Sequence, residues 1–441
     1  MSQVMLAFLG TNDYLPCNYL LNEKGKISGV RFIQEALVSL FCKDWTEKDR
    51  IIIFLTEEAK NKNWVDNGHK DRDGKPLQRE GLKRRLESLG LKTKILDKEI
   101  PDGRTEEEIW RIFDEVLNQI DHGDEVIFDM THAFRSLPML AIIILNYAKV
   151  IKNIKINGVY YGAFESLGSI REVEKMAVQD RNVPIFNLTP FVRLFDWTNA
   201  IHNFITYGDA KDISELTQQE IKSILADTQG KDEGAQNLRE LSKQLKKLTK
   251  LIQTSRGPGL IDGFDFDGLR ELIKKEGFLK PINPLLDKIA NKIKDFKNKD
   301  IKNGYAAVEW CIQHNLIPQG YTLLQETMIS EVVVRHFGQS EILNEDKRKL
   351  AAQALHIANR NIIANRKIPE EEWEEPAKSR KEDVQKIISC LSEDFIKIYD
   401  SITQDRNDIN HAGFRTQPSQ PEDLQERLKE RYYKNLKKGL A

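Results

Sequence analysis

No apolar run in this chain approaches the roughly 18 residues that a membrane-crossing helix needs. The longest, Met139 to Leu145, is the length of a buried segment, so no membrane partner is expected. Nothing resembling an export signal opens the chain either, because Val4-Met5-Leu6-Ala7-Phe8-Leu9 lacks a basic stretch before it and a small-residue cleavage site after it. It reads as a first β-strand. Cysteine is scarce: Cys17, Cys42, Cys311 and Cys390 stand far apart, without the paired spacings of zinc or redox sites. Reduced thiols in a cytoplasmic protein, and no metal site, are the expectation. Charge of one sign is missing too, since 67 basic residues face 68 acidic ones for a net charge of −1. A polyanion must therefore be met by local patches rather than by a global field. Finally, no G-x-G-x-x-G follows the first strand, which argues against a dinucleotide cofactor held in the usual way.

What is present describes a globular protein of two or three domains: 441 residues, 40% hydrophobic and 31% charged. The first ~170 residues alternate short β-branched runs with amphipathic stretches, the pattern of a mostly parallel sheet wrapped by helices. Strands are expected at Val4 to Leu9, Arg50 to Thr56, Lys92 to Leu96, Glu125 to Asp129 and Ile154 to Gly162. Helical periodicity marks Arg31 to Phe41, Gly81 to Leu89, Glu106 to Ile120 and Leu137 to Lys149. From about Thr189 strand signals vanish and Leu, Ile, Lys and Glu dominate, as in Glu233 to Ile252. The fold class is thus an α/β Rossmann-like N-terminal domain followed by an all-α C-terminal region. Ile368 to Lys381, with its glutamates around Trp373, reads as a solvated loop.

Ligands of open parallel sheets sit beyond the carboxyl ends of the strands, where loops lead into helix N-termini. Two segments match that place. After the first strand, Gly10-Thr11-Asn12-Asp13-Tyr14 supplies a close-approach glycine, small polar side chains and an aromatic ring. After the fourth expected strand, Asp129-Met130-Thr131-His132-Ala133-Phe134-Arg135 crowds a hydroxyl, an imidazole and a guanidinium ahead of an apolar helix. Helix capping accounts for Ser136 beside Pro138 and could account for Thr131, but capping needs neither His132 nor Arg135.

A second constellation lies near the C-terminus, in Asp405-Arg406-Asn407-Asp408-Ile409-Asn410-His411-Ala412-Gly413. Arg406 and His411 fall within about one and a half helical turns, with Asn407 between them. Metal-free RNA cleavage can use such a pair: the imidazole shuttles protons while the guanidinium stabilises the crowded phosphorane. Alone, R-x-x-x-x-H is a weak pattern. Its place after the amphipathic stretch Val384 to Tyr399 and before Ala412-Gly413, a plausible helix stop, strengthens it. One Arg/His pair per chain is thin for phosphoryl chemistry, so two copies meeting across a two-fold axis make a fuller site. The chain Leu424 to Lys438, basic and carrying Tyr432 and Tyr433, suits either RNA contact or a plain amphipathic helix. Asp262 to Gly268 resembles a calcium loop only superficially and is read as a turn.

With both constellations in place, the sequence resembles the CRISPR-associated CARF–HEPN ribonucleases of type III systems, in the branch named for its D-x-T-H-G motif. Phe8-Leu9-Gly10-Thr11, Asp129-x-Thr131-His132 and Tyr160-Tyr161-Gly162-Ala163 carry the CARF resemblance. Phe195 to Ala200 is similar to the family's linker, Ala307 to Trp310 to its first HEPN helix, and Arg406-Asn407 with His411 to its catalytic motif. This implies a CARF-like domain over 1–185, a helical connector over 186–302 and a HEPN domain over 303–441. It implies further a homodimer, with higher oligomers left open, that binds cyclic oligoadenylate (cyclic tetra- or hexa-adenylate) as allosteric activator. The activator sites would be Gly10 to Tyr14 and Asp129, Thr131, His132, Ala133, Phe134 and Arg135; Arg406, Asn407 and His411 would cleave single-stranded RNA without metal or other cofactor. Products would be a 2′,3′-cyclic phosphate and a 5′-hydroxyl. Ala133 stands where the motif usually has glycine, which leaves ring size and any ring-cleaving activity open. A non-catalytic sensor or RNA-binding regulator, and a nuclease that degrades its own activator, remain as alternatives.

Overall fold

The structure is a computed structural model that describes residues 2–21, 25–71, 73–132, 137–275 and 282–436. It divides into two compact units, Met1–Arg193 and Leu194–Ala441.

Among the described residues, the first unit is built on eight strands: β1 (Gln3–Leu9), β2 (Cys17–Leu21), β3 (Gly25–Val30), β4 (Arg50–Leu55), β5 (Lys94–Glu99), β6 (Glu125–Asp129), β7 (Lys155–Gly162) and β8 (Asn182–Asn187). They form one mixed sheet in the order β3-β2-β8-β7-β6-β1-β4-β5. The stretch β7-β6-β1-β4-β5 is parallel, with Leu6 opposite Phe128 on one side and Ile52 on the other. β8 runs antiparallel to β7 and parallel to β2, and β3 closes the edge as a hairpin partner of β2.

Strict alternation in the central strands gives the sheet two apolar faces. Met5, Ala7, Leu9, Ile51, Ile53 and Leu55 point one way, into a core closed by α1 (Ile33–Phe41) and, beyond α2 (Glu57–Ala59), by α3 (Leu82–Glu87). Val4, Leu6, Phe8, Ile52, Phe54 and Phe128 point the other way, against α4 (Glu106–Asn118) and α5 (Leu137–Lys152). A side-chain period of two, with both faces covered by helices, is what turns these strands into nearly continuous apolar runs. The N-terminus of α4 is set by Thr105, whose hydroxyl accepts from the Glu108 amide at 3.2 Å, and by three glutamates in the first turn. A short α6 (Ile170–Glu174) precedes β8.

The boundary between the units falls inside α7 (Thr189–Tyr207), and from there every described regular element is helical. These are α8 (Lys211–Asp227), α9 (Glu233–Gln253), α10 (Gly257–Ile261), α11 (Phe266–Lys274), α12 (Asn283–Lys292), α13 (Lys302–Gln313), α14 (Ile317–Phe337), α15 (Glu345–Ala364), α16 (Lys381–Ser389), α17 (Glu393–Asn410) and α18 (Pro421–Glu430). One apolar core runs from Trp197 to Tyr432, so residues on both sides of position 302 share their packing. No described helix is long and apolar enough to cross a membrane.

Three local readings are refined. Ile368 to Lys381 is not simply solvated, because Ile368, Trp373 and Ala377 are buried while the glutamates beside Trp373 stay outside. Asp265 caps α11, accepting from the Gly268 amide at 2.9 Å, as a turn rather than a cation loop requires. The C-terminal basic segment docks by its apolar side: Leu428 and Tyr432 are buried, and the Tyr321 hydroxyl donates to the Leu424 carbonyl at 2.8 Å.

Candidate functional sites

The order of the parallel strands reverses between β1 and β6, since the chain adds β4 and β5 on one side of β1 and returns to β6 and β7 on the other. In open α/β sheets, the crevice at the carboxyl ends of the strands where their order reverses is the ligand-binding place. Both N-terminal candidate segments leave the sheet at this point.

The loop from Gly10 to Tyr14 is held from beneath by residues distant in sequence. Thr56 caps α2, and the π-helical turn Lys60–Trp64 that continues it carries the fully buried Asn63 under the loop. The Asn63 amide donates to the carbonyls of Gly10 (2.9 Å) and Asn12 (2.8 Å), while its oxygen accepts from Arg31 at 3.2 Å and meets His69 Nε2 at 3.0 Å. Arg31 donates to the Tyr14 carbonyl at 2.9 Å and pairs with Asp13 at 3.0 Å; Arg79 takes the other Asp13 oxygen, also at 3.0 Å. Asp13 is thereby committed to two guanidiniums as a brace of the loop. Thr11 is half-buried and Asn12 exposed, so these two present the polar groups of the loop outward.

Tyr14 folds back over Gly10. A methyl group added at Gly10 would lie 2.1 Å from the Tyr14 hydroxyl oxygen, so only glycine leaves room for the ring. The ring packs edge-on against Phe32 and lies with its centroid 4.4 Å from that of His132. Burial, and next the charge of Asp129, push the phenol above its ordinary pKa.

On the β6 side, Asp129 is fully buried. Its carboxylate accepts from the Thr131 amide at 2.9 Å and from Gln34 at 3.0 Å. Burial raises its pKa to about 6 against the opposing pull of those bonds. The Thr131 hydroxyl accepts from the Gly162 amide at 2.9 Å, tying the end of β6 to β7. Burial holds the His132 imidazole neutral, lowering its pKa to about 4, and its Nε2 is shielded from solvent with no hydrogen-bond partner. Ala133, Phe134 and Arg135 lie outside the described residues, as does Ser136.

In the helical unit the second constellation occupies the last turn and cap of α17. Ser392 opens this helix, its hydroxyl accepting from the Phe395 amide at 3.2 Å. Spacing of i and i+3 puts Asp405 and Asp408 on the inner face, where both are buried. Asp405 pairs with Arg427 (3.0 Å) and Arg431 and accepts from the Tyr321 hydroxyl at 3.1 Å. Asp408 accepts from the Ser419 amide at 2.8 Å, with Arg415 at 3.8 Å. The opposite face carries Asn407, Asn410 and His411, all exposed, beside a half-buried Arg406 whose Nε is shielded and unpaired. His411 follows Asn407 by one turn.

The helix ends in a Schellman motif: the Gly413 amide donates to the Asp408 carbonyl at 3.0 Å and the Ala412 amide to that of Ile409 at 2.9 Å. Ala412 holds the left-handed conformation, φ 53°, that this motif demands at its centre. The imidazole is therefore presented from a fixed helix end. The sequence pattern does not point to Arg31, Gln34, Asn63, His69 and Arg79, which hold the N-terminal loops in place and whose only local signal is polar type within apolar surroundings.

Comparison with known proteins now bears on this geometry. Residues 4–165 match the family model described as CRISPR system endoribonuclease Csx1, CARF domain. The chain is a CARF-containing protein. Within the CARF domain, both crevice segments lie inside the matched region. Residues 193–301 match a second family model, the second domain of CRISPR-associated protein MJ1674. CRISPR-associated protein MJ1674 of Methanocaldococcus jannaschii is itself 29% identical over 244 residues, which cover 54% of this chain and 33% of that relative. The matched part thus spans about a third of the relative's length. The CARF assignment agrees with the mixed, helix-covered sheet.

Proposed function

We propose that this protein is a cyclic oligoadenylate-activated endoribonuclease of type III CRISPR defence, in which the CARF crevice binds the activator and the cap of α17 cuts single-stranded RNA without a metal ion. The observation that carries the reading is the division of labour within Asp405 to His411. Two buried carboxylates anchor the segment, while Asn407 and His411 are left exposed beside a half-buried Arg406. A helix end needing only stability would use neither an exposed histidine nor an arginine with an unpaired, shielded Nε.

The chemistry follows from those groups. The substrate 2′-oxygen bonds to the adjacent phosphorus, its proton passing to a neutral imidazole, and the bond from phosphorus to the 5′-oxygen breaks as that oxygen takes a proton. Arg406 stabilises the added phosphorane charge and Asn407 orients the phosphate. One imidazole must accept while another donates, so a second copy of the chain supplies His411 for the other role. Products are a 2′,3′-cyclic phosphate and a 5′-hydroxyl. In support of a dimer, α5 exposes Met139, Ile143, Tyr147 and Val150 in one stripe, Val150 by 84%.

The activator is a polyanion with adenine faces. Thr11 and Asn12 offer hydrogen bonds, and Tyr14 and His132 line the site with rings; Arg135 would add charge. A connector over 186–302 and a HEPN domain over 303–441 complete the proposed organisation. The test is cleavage of a fluorescent single-stranded RNA in EDTA, with and without cyclic tetra- or hexa-adenylate, by wild type and His411→Ala. Ring-dependent cleavage by wild type alone is expected; equal cleavage by the variant, or none by wild type under any condition, overturns the reading.

A second, additional reading is that the CARF crevice slowly opens its own activator through groups near Thr131, beside which His132 lies with a buried Nε2 that has no protein partner. Linear fragments appearing when His411→Ala is incubated with the ring, and absent from His132→Ala,His411→Ala, would support it.

A further inference from the structure

Phe414 is the most exposed large apolar side chain among the described residues, at 92%, and it lies three positions beyond His411. We infer that its ring is a stacking platform for a nucleobase next to the RNA phosphate held at the cap of α17. The inference rests on the nuclease reading above and extends it to substrate positioning.

Three observations carry it. First, the ring is not on a loose segment: the Phe414 amide donates to the His411 carbonyl at 3.0 Å, the Arg415 amide to the Gly413 carbonyl at 2.8 Å, and Asp408 fixes Ser419 further along. Holding an apolar ring in water through a braced turn has no stability rationale, since exposed apolar area gains nothing from folding. Second, its surroundings are polar. Asn410, His411, Arg415, Thr416 and Gln417 are exposed, and no other large hydrophobic between residues 364 and 436 is exposed among those described. Protein-binding surfaces group several apolar side chains around an anchor, as α5 does; a lone ring among hydrogen-bonding and basic groups is how single-stranded nucleic acid is met. Third, the backbone bond between Phe414 and His411 keeps the two residues within one turn, so a base on the ring belongs to a nucleotide at or beside the cut. Arg415, half of whose side chain is exposed and whose pairing with Asp408 is long at 3.8 Å, supplies a phosphate contact alongside.

The experiment measures binding of a short fluorescein-labelled single-stranded RNA to the full-length His411→Ala protein by anisotropy, with and without Phe414→Ala. Stacking is worth roughly 5- to 150-fold in affinity per base. A loss of that size is expected for Phe414→Ala, with Phe414→Trp and Phe414→Tyr retaining affinity and Phe414→Leu failing to. In an otherwise active chain the same change should raise KM far more than it lowers kcat. Equal affinity with and without the ring overturns the proposal, and so does full rescue by Phe414→Leu. Dissociation of a dimer on sedimentation of Phe414→Ala overturns it as well, because the ring would then be a contact between copies of the chain. Failure of the two ideas is separable: wild type that cuts no RNA sinks the nuclease reading, while a ring-dependent affinity in the His411→Ala background still supports the platform.

Discussion

Tyr14 and His132 meet across the CARF crevice, their ring centroids 4.4 Å apart, although 118 positions separate them in the chain. One comes from the loop after β1 and the other from the segment after β6, so their contact joins the two halves of the candidate activator site.

That contact depends on Gly10. With the Tyr14 ring wedged between Phe32 and His132, a methyl at position 10 cannot be accommodated by a small rotation. Gly10→Ala should displace the ring and weaken cyclic oligoadenylate binding by roughly 5- to 150-fold, the scale of one overpacked contact of about 1–3 kcal/mol. Calorimetric titration checks it, and unchanged affinity would separate Tyr14 from the site.

The crevice also carries an opposed pair of titrations. Asp129 binds its proton more tightly folded than unfolded, so on this group's account stability falls as pH rises from about 4 to about 6. His132 is the reverse: its folded pKa of about 4 lies below the unfolded value near 6.5, so its contribution is full above that value and is lost as pH falls toward 4. The two slopes offset each other in the same window. Asp129→Asn should therefore unmask a steeper acid loss between about pH 6 and 4, seen in urea unfolding of the full chain. NMR titration of the His132 ring should show a midpoint well under 5; a midpoint near 6.5 would contradict its burial.

Asn63 braces the first loop through two carbonyls and Arg31. Asn63→Ala leaves the two part-buried carbonyls without the amide and the buried Arg31 guanidinium without its acceptor, at a cost of about 1–3 kcal/mol. Thermal unfolding should register the loss, and activator affinity should fall with it.

At the other site, Ala412 is an alanine where the Schellman motif favours glycine. Ala412→Gly should stabilise the helical unit by about 1 kcal/mol without changing how His411 is presented. A raised Tm with RNA cleavage retained is the expected result, whereas a lowered Tm would mean the left-handed cap is not populated.

Much of this was legible in the residues. The five long strands of the parallel stretch and helices α1, α3, α4 and α5 announce themselves through clean periodicity, because both faces of the central sheet and one face of each helix are buried. β2, β3 and β8 do not. Asn18, Gly29 and Pro184 interrupt them, β3 is largely exposed at the edge, and their pairing is set by partners elsewhere in the chain. For the candidate sites, residue type singles out Tyr14, His132, Arg406 and His411. It could not tell which carboxylates turn inward. Asp13, grouped by the sequence with the ligand contacts, bridges Arg31 and Arg79, and Asp129, grouped with them too, is fully buried. Such assignments depend on long-range neighbours that no local pattern encodes.

The inward carboxylates of α17 affect how a mutational scan through this segment would have to be interpreted. Asp405 and Asp408 each anchor distant chain, one through Arg427 and Arg431, the other through the Ser419 amide. Replacing either leaves half-buried partners unmatched and lets the cap swing. An activity screen would score those positions alongside Arg406 and His411, and only a folding readout taken on the same variants would tell hinge-pins from blades.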